Sequence, residues 1–125
     1  MRVDPWWRDA VGYSLYLRSF ADADGDGVGD LAGATAHLDH LRHLGVDLIW
    51  MSPFYPSPLA DFGYDVTDYT AVDPVYGDLA AFDHLLHEIH QRDMRLLIDL
   101  VPNHTSFEHP WFRQARADPE GPFRD

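Results

Sequence analysis

The chain has 125 residues, of which 46% are hydrophobic, and its formal net charge is −12. This length and apolar content are typical of one globular domain with a core and argue against general disorder. The negative charge, with arginine as the only basic residue, argues against binding to nucleic acid or anionic lipid, because phosphates would be repelled. Cysteine is absent, which excludes disulfides and thiolate metal sites. No apolar run has the length of a signal peptide or a membrane span, so a cytoplasmic location is the default expectation.

The first half of the chain predicts a strand, a polar loop and a helix. Residues 11–17 (VGYSLYL) form an apolar and aromatic run of strand length, and a loop of aspartates and glycines follows over 21–29. Apolar residues then recur three and four positions apart, which places them on one face of a helix that Gly45 ends. The residues of that face are Leu31, Ala34, Leu38, Leu41 and Leu44.

The second half repeats this pattern. Residues 47–51 (DLIWM) form a second buried run, and a helix follows a long loop, with Asp78 as its candidate N-cap. Residues 94–101 (MRLLIDLV) form a third run, and the last ten residues add no strand, so we expect a chain that is cut rather than finished. Alternating helices and apolar strands indicate an α/β fold with a parallel sheet. The apolar face of the second helix consists of Leu79, Phe82, Leu85, Leu86 and Ile89.

The loop after the first strand, DADGDGVGD, has the spacing of a metal site. Closely spaced carboxylates repel one another unless a cation lies among them, and Ca²⁺ prefers oxygen ligands. Gly27 supplies the sharp turn of an EF-hand loop, whereas Gly33 stands where the bidentate glutamate would be. We expect a single structural metal loop; the alternative is a solvated acidic turn. The candidate ligands are Asp22, Asp24, Asp26, the Val28 carbonyl and Asp30.

The loop after the second strand, SPFYPSPLADFGYDVTDY, combines prolines, aromatic rings and aspartates. Sugars stack their C–H faces on aromatic rings, while their hydroxyls hydrogen-bond to charged acceptors. Asp61 and Tyr64 are the candidates for that pairing. The alternative is that Tyr64, Asp65 and Tyr69 only pack and cap the loop, and composition does not separate the two interpretations.

The third loop opens with DLVPNHTS, which places Asp99, Asn103 and His104 near one strand end. A carboxylate, an amide and an imidazole together form a polar group that a buried strand would not otherwise tolerate, so we expect a ligand site there. For His104 alone, the alternative is an imidazole that bonds to a nearby carbonyl. We expect the other seven histidines to be solvated surface residues, six of them on helix faces: His37, His40, His43, His84, His87 and His90.

Together these stretches resemble glycoside hydrolase family 13, the α-amylase superfamily. WWRDAVGYSLYLRSFADADGDGVGDLAG is similar to the first strand and metal loop of its α-glucosidase and oligo-1,6-glucosidase branch, GYDVTDY to the motif after the second strand, and DLVPNH to the first signature region. The resemblance implies a TIM (β/α)₈ barrel, of which residues 1–125 would be the N-terminal portion, with three β/α units and an end after the third strand and its loop.

The resemblance also implies roles for the candidate residues. The acidic loop would hold Ca²⁺ or Mg²⁺, Asp61, Tyr64 and His104 would bind the terminal glucose, and Asp99 and Asn103 would shape the site. The nucleophile and the acid/base of this retaining family would follow later strands, so this piece alone is expected to be inactive and poorly stable.

The implied activity is hydrolysis of α-glucosidic bonds in malto- or isomalto-oligosaccharides, with an α-glucan oligosaccharide as partner. One alternative is trehalose synthase or another transglycosylase of the same family, because SPFYPSPL and EHPWFRQAR resemble that branch too. An alternative of another class is a non-catalytic calcium- or sugar-binding module, which leaves GYDVTDY and DLVPNH unexplained.

Overall fold

The computed structural model describes residues 5–123. Strands and helices alternate through most of this range, which confirms the α/β class. In chain order the elements are a 3-10 turn Trp6–Arg8, β1 Gly12–Leu15, α1 Leu17–Phe20, α2 Leu31–Ala36, α3 Leu38–His43, β2 Leu48–Met51, α4 Leu79–Gln91, β3 Arg95–Ile98 and α5 Pro110–Ala117.

The three described strands form one parallel sheet in the order β1-β2-β3. Their register aligns residues in rows across the sheet, and successive rows face opposite sides because side chains alternate along a strand. Consecutive parallel neighbours connected through helices are the expected start of a barrel. The two central rows are Tyr13, Ile49, Leu96 and Ser14, Trp50, Leu97.

The core lies between the sheet and the helices on one of its faces. Ile49 at the centre of β2 has no exposed surface, whereas Trp50 and Leu97 in the next row are 44% and 52% exposed. The helices therefore cover one face, and the described part of the chain leaves the other open. No described helix is long and apolar enough to cross a membrane. Buried side chains of the core include Leu15, Leu31, Ala34, Leu38, Leu41, Met51, Leu85 and Ile89.

The single helix predicted from Leu31 to Leu44 is wrong, because the chain forms α2 and α3 with a break at His37. The His37 Nδ1 atom lies 2.8 Å from the Gly33 carbonyl oxygen, which an unbroken helix would pair with a backbone amide. His37 has φ −107° and ψ 9°, outside the helical range. The apolar spacing survives the break, so Leu38 and Leu41 are buried as predicted.

The predicted ends of the elements need four further corrections. Leu44 was placed on a buried face but is 58% exposed, because α3 ends at His43 and Gly45 turns the chain with φ 81°. Leu79, the first residue of α4, is 55% exposed. The predicted strand 11–17 is shorter, since β1 ends at Leu15 and α1 follows at once. The third run, 94–101, forms a strand only over Arg95–Ile98.

Asp78 begins α4 as predicted: its Oδ1 accepts a hydrogen bond of 2.8 Å from the Ala81 amide. Replacing Asp78 with alanine should lower the free energy of unfolding by about 1 kcal/mol, because the amide loses its partner at the helix end. Urea denaturation measures the change, and Asp83→Ala, an exposed change later in the same helix, is the control. Equal losses in the two variants would contradict the cap.

Candidate functional site

The loops that follow β2 and β3 meet at the carboxyl end of the sheet. Asp99 comes directly after β3, and its side chain contacts residues from both β2 and the loop after it. In parallel α/β sheets this end carries the ligand site, because loops from neighbouring strands converge there. The predicted residues of the two loops are therefore brought together at the expected edge.

Asp99 is the centre of a hydrogen-bond network. The Trp50 indole Nε1 donates to its Oδ1 over 2.7 Å, and the Tyr64 hydroxyl donates to its Oδ2 over 2.8 Å. The Tyr55 hydroxyl donates to the Asp99 main-chain carbonyl over 2.9 Å. Both carboxylate oxygens and the backbone of Asp99 are thus held by aromatic donors. Its role in shaping a sugar site stays a prediction.

The hydrogen bond to Asp99 also changes the chemistry of Tyr64. It raises the pKa of the Tyr64 phenol above its ordinary value, and burial and the negative charges of Asp99 and Asp61 act in the same direction. The phenol therefore keeps its proton, and keeps donating to Asp99, to a higher pH than an ordinary tyrosine would.

His104 and Asn103 lie against the same loop. The His104 Nε2 atom is 3.1 Å from the Tyr64 carbonyl oxygen, and its Nδ1 atom is 3.2 Å from the Asn103 side-chain nitrogen. An amide nitrogen can only donate, so Nδ1 accepts and Nε2 carries the proton that faces the carbonyl. Both ring nitrogens are engaged here, although the ring is exposed. Contact between His104 and a sugar stays a prediction.

A cavity of about 430 Å³ adjoins His104 on the side of the third loop. The aromatic rings of Tyr69 and Trp111 line it. The two ring centroids are 6.5 Å apart, and the angle between the ring planes is 26°. The volume of the cavity lies within the range of small-molecule sites.

Asp61 lies in a turn with unusual backbone geometry. Leu59 and Phe62 on either side of it have φ values of 60° and 53°. Residues other than glycine seldom adopt this left-handed backbone conformation. Such strain persists only where surrounding contacts hold it. Here the buried Asp65 carboxylate accepts hydrogen bonds from the Ser57 hydroxyl and the Ala60 and Asp61 amides, over 2.8, 2.9 and 3.0 Å.

Asp65 therefore caps the loop, and Tyr69 packs it, which are the roles that the alternative interpretation gave them. The Tyr69 hydroxyl lies 2.8 Å and 2.7 Å from the Val101 and His104 carbonyl oxygens. The bond from Asp61 to Asp65 comes from the backbone amide of Asp61, not from its side chain. Pairing of the Asp61 side chain with a sugar stays a prediction.

The stability of the loop should depend on pH through Asp65. Burial alone would raise the pKa of this carboxyl, but its hydrogen bonds to Ser57, Asp61 and Ala60 outweigh burial, and the pKa lies below its ordinary value. A lowered folded-state pKa contributes stability above about pH 4 that is lost as the pH falls through the folded value. We expect Asp65→Asn to show a smaller loss of unfolding free energy than wild type between pH 5 and pH 2; equal losses by urea denaturation would contradict this.

His109 is a correction to the prediction of solvated histidines. It is only 5% exposed, and its Nδ1 accepts a hydrogen bond of 3.1 Å from the Trp111 amide, which makes it the N-cap of α5. Its ring also contacts Tyr69 at a centroid distance of 5.8 Å. The helix α5 is not predicted from the sequence, because its segment begins with a proline, is polar on average and buries no residue.

The acidic loop brings together three of its four aspartates. Asp22, Asp24 and Asp30 each present a carboxylate oxygen, and these oxygens lie within 4.8 Å of one another. Two oxygens on opposite sides of one Ca²⁺ ion are separated by about 4.6 to 5.2 Å, so the three fit one cation. Asp26 lies outside this group, and its Oδ1 accepts from the Val28 amide over 2.7 Å.

Hydrogen bonds to backbone amides also shape the loop. Asp22 accepts hydrogen bonds from the Gly25 and Gly27 amides over 2.7 and 2.8 Å, and these bonds hold the pKa of its carboxyl below the ordinary value. Gly27 has φ 90°, as the sharp turn requires. At Gly33 a Cβ atom would lie 2.1 Å from the Ala21 carbonyl oxygen, so no glutamate fits where an EF-hand would have one.

Residues 14–125 match the family model described as the catalytic domain of alpha amylase. The chain belongs to the alpha-amylase family. This confirms the resemblance drawn from the three motifs and, with it, the start of a (β/α)₈ barrel as the fold class.

Named relatives and solved structures of the family share about half of the residues of this chain. A "probable oligo-1,6-glucosidase 2" from Bacillus subtilis is 50% identical over 124 residues, which cover 99% of this chain and 22% of the relative. A "probable alpha-glucosidase" from Rhizobium meliloti is 55% identical over 112 residues, 90% of this chain and 20% of the relative. The crystal structure of the alpha-glucosyl transfer enzyme XgtA superposes with a TM-score of 0.94 at 55% identity, over 97% of this chain and 23% of that one.

This member of the alpha-amylase family thus spans about a fifth of the length of the relatives it matches. Two residues of its candidate site were not predicted from the sequence: Trp50 and Tyr55, which bond to Asp99. Trp50 stands in an apolar run that predicts a buried strand, and Tyr55 is one of several aromatic residues in the second loop. The only signal was Trp50, a residue with a hydrogen-bond donor, between two residues of the buried face, Ile49 and Met51.

Proposed function

We propose that this chain is part of an α-glucoside-processing enzyme, and that its second and third loops bind the terminal glucose of a malto- or isomalto-oligosaccharide. The observation that supports this best is the hydrogen bond between Tyr64 and Asp99, which joins the two loops around an aromatic ring beside His104. Tyr64 offers the sugar a face for stacking, and the nearby Asp61 offers its hydroxyls an acceptor.

The reaction proposed is hydrolysis with retention at the anomeric carbon. Retention requires two carboxyl groups about 5 Å apart across the scissile bond. Asp99 is not proposed for that work, because both its oxygens are engaged by Trp50 and Tyr64. We assign no catalytic carboxylate to these 125 residues; the family resemblance implies that the nucleophile and the acid/base would follow later strands of the barrel.

Transfer of glucose to a second sugar is the alternative reaction. It is favoured by the 55% identity to an alpha-glucosyl transfer enzyme, which equals the identity to the alpha-glucosidase relative. The glucose site would serve both reactions, since both begin by cleaving an α-glucosidic bond. The choice between water and sugar as acceptor depends on groups on the far side of that bond.

For the acidic loop we propose a structural Ca²⁺ or Mg²⁺ ion held by Asp22, Asp24 and Asp30, with Asp26 and the Val28 carbonyl as the remaining candidates. The grouping of the first three supports this proposal. The ion would supply no chemistry to the reaction. Bound there, it would neutralise carboxylates that otherwise repel one another and would fix the start of α2.

The decisive experiment uses the full-length protein that carries this chain, purified with Ca²⁺. It should release glucose from maltose, isomaltose or an aryl α-glucoside, and proton NMR should show the α-anomer as the first product. Transfer products at high maltose would favour the transferase alternative. A protein that neither releases nor transfers glucose from any of these compounds is not the enzyme proposed.

In the same protein, replacing His104 with alanine should lower kcat/KM for maltose by at least roughly tenfold, because a hydrogen bond at the glucose site and the partner of Asn103 are both lost. His87→Ala, a change of the same kind on the exposed face of α4, should leave kcat/KM at the wild-type value. Similar kinetics for the two variants would remove His104 from the proposed site.

A further inference from the structure

Trp50 occupies an unusual place for a tryptophan in a central strand. Its neighbours Ile49 and Met51 point into the core and have no exposed surface, whereas the Trp50 ring lies on the opposite face of the sheet and is 44% exposed. An indole has one polar group, an N–H that only donates. Here it donates to Asp99 Oδ1 over 2.7 Å, at the carboxyl end of the sheet.

The same carboxylate connects Trp50 to the candidate sugar ring. Asp99 Oδ2 accepts from the Tyr64 hydroxyl over 2.8 Å, so one planar group is held by two donors, one on each oxygen. Two such bonds fix the rotation of the carboxylate, whereas one leaves it free to turn about its own axis. The Tyr64 ring packs against a small cluster that includes Tyr55 and Val101, and the direction in which Asp99 Oδ2 points fixes the Tyr64 hydroxyl at the end of that ring.

A separate bond holds the backbone of Asp99. The Tyr55 hydroxyl donates to the Asp99 main-chain carbonyl, which places the residue but leaves its side chain free to rotate. Trp50 therefore orients the Asp99 carboxylate, whereas β3 and Tyr55 hold only the backbone of that residue.

We infer that Trp50 is a positioning residue for sugar binding: through the Asp99 carboxylate it sets the angle of the Tyr64 ring on which the terminal glucose stacks. This inference rests on the proposed function, because it requires that Tyr64 contacts the sugar. Trp50 itself touches no substrate in this role. The positioning of Tyr64 requires the indole N–H of Trp50 and does not require the full volume of its ring.

The test is a double-mutant cycle in the full-length protein with Trp50→Phe, Tyr64→Phe and the double variant. Each single change keeps an aromatic ring and removes one donor to Asp99. We expect each to weaken competitive inhibition by glucose and to lower kcat/KM for maltose by roughly tenfold, the worth of one charge-assisted hydrogen bond. The double variant should lose little more than either single one, since both act through one carboxylate.

Trp6→Phe is the matched control, because it makes the same substitution at the opposite end of the sheet, where Trp6 lies against Arg95 at 4.3 Å. It should leave the inhibition constant of glucose and kcat/KM unchanged. Thermal unfolding of every variant separates binding from folding. Should Trp50→Phe fail to fold, Asp99→Asn takes its place in the cycle with the same expected coupling.

The outcomes separate this inference from the proposed function. If the wild-type protein cleaves maltose but the losses in the cycle add, or if Trp50→Phe binds glucose like wild type, the positioning role is overturned and the enzyme assignment stands. If the wild-type protein neither releases nor transfers glucose, the proposed function fails and the inference falls with it.

Discussion

Replacing Asp30 with alanine should lower the free energy of unfolding by about 3 kcal/mol, because this one buried carboxylate satisfies two backbone amides. Its Oδ1 accepts from the Gly33 amide over 2.6 Å and begins α2, and its Oδ2 accepts from the Ala23 amide over 3.1 Å and closes the acidic loop. The residue is 7% exposed, so water does not replace the lost bonds. Urea denaturation in EDTA measures this loss without a contribution from metal.

Asp26→Ala is the matched control in the same loop. Asp26 is exposed and lies outside the carboxylate group, and one of its oxygens accepts from the Val28 amide. Its replacement should destabilise the protein less than that of Asp30. A loss for Asp30→Ala no larger than the loss for Asp26→Ala would show that the loop does not depend on Asp30.

Repeating both measurements with Ca²⁺ tests the proposed ion. Binding to the folded state alone stabilises it, so wild type should gain stability with Ca²⁺ concentration and Asp30→Ala should gain much less. The difference between the two proteins therefore widens in Ca²⁺. A gain of the same size in Asp30→Ala, or no gain in wild type, would contradict a cation held by Asp22, Asp24 and Asp30.

The apolar patterns predicted the elements that build the core. Leu38, Leu41, Leu85 and Ile89 are buried where helical periodicity placed them, and Asp78 caps α4 as predicted. These predictions hold because the spacing of apolar residues within one segment is enough to show which face of its helix is apolar. The break at His37 depends instead on a side-chain nitrogen that bonds to a carbonyl one turn earlier, and periodicity carries no information about that bond.

In the candidate site, too, some residues could be predicted from the sequence and others could not. Asp99, Asn103 and His104 are predicted because polar groups at a strand end are conspicuous in sequence, and Tyr64 because an aromatic ring beside aspartates suits a sugar. The structure brings these four together, and their roles in binding stay predictions. Trp50 was missed because it looks like a core residue of β2, and Tyr55 because nothing distinguishes it from the other aromatic residues of its loop. The polar atoms of both bond to Asp99 only once β2 and the segment after it lie beside the end of β3.

Asp65 was weighed as a residue that caps its loop, but its specific task could not be foreseen. It holds a turn whose strain appears only in the backbone angles of Leu59 and Phe62. Groups that stand out locally are therefore visible in the sequence, whereas groups whose role depends on contact between distant segments are not.

The two faces of the sheet should respond very differently to loss of a side chain. Ile49→Ala should cost about 4 kcal/mol, because Ile49 lies at the centre of β2 without exposed surface and its loss leaves a cavity against the helices. Leu97→Ala, on the open face of the neighbouring strand, should cost the 125-residue chain about 1 kcal/mol, since a side chain that is 52% exposed has less contact to lose. Urea denaturation measures both.

The same pair in the full-length protein tests what covers the open face. If a closed barrel surrounds it, Leu97 becomes a core residue, and Leu97→Ala should cost about 3 kcal/mol there while the cost of Ile49→Ala stays the same. An unchanged small cost would mean that no barrel interior forms over Trp50 and Leu97. Trp50 and Asp99 would then face water, where the hydrogen bond between them contributes far less to the position of Tyr64. The packing of the sheet and the geometry of the sugar site thus depend on the same enclosure.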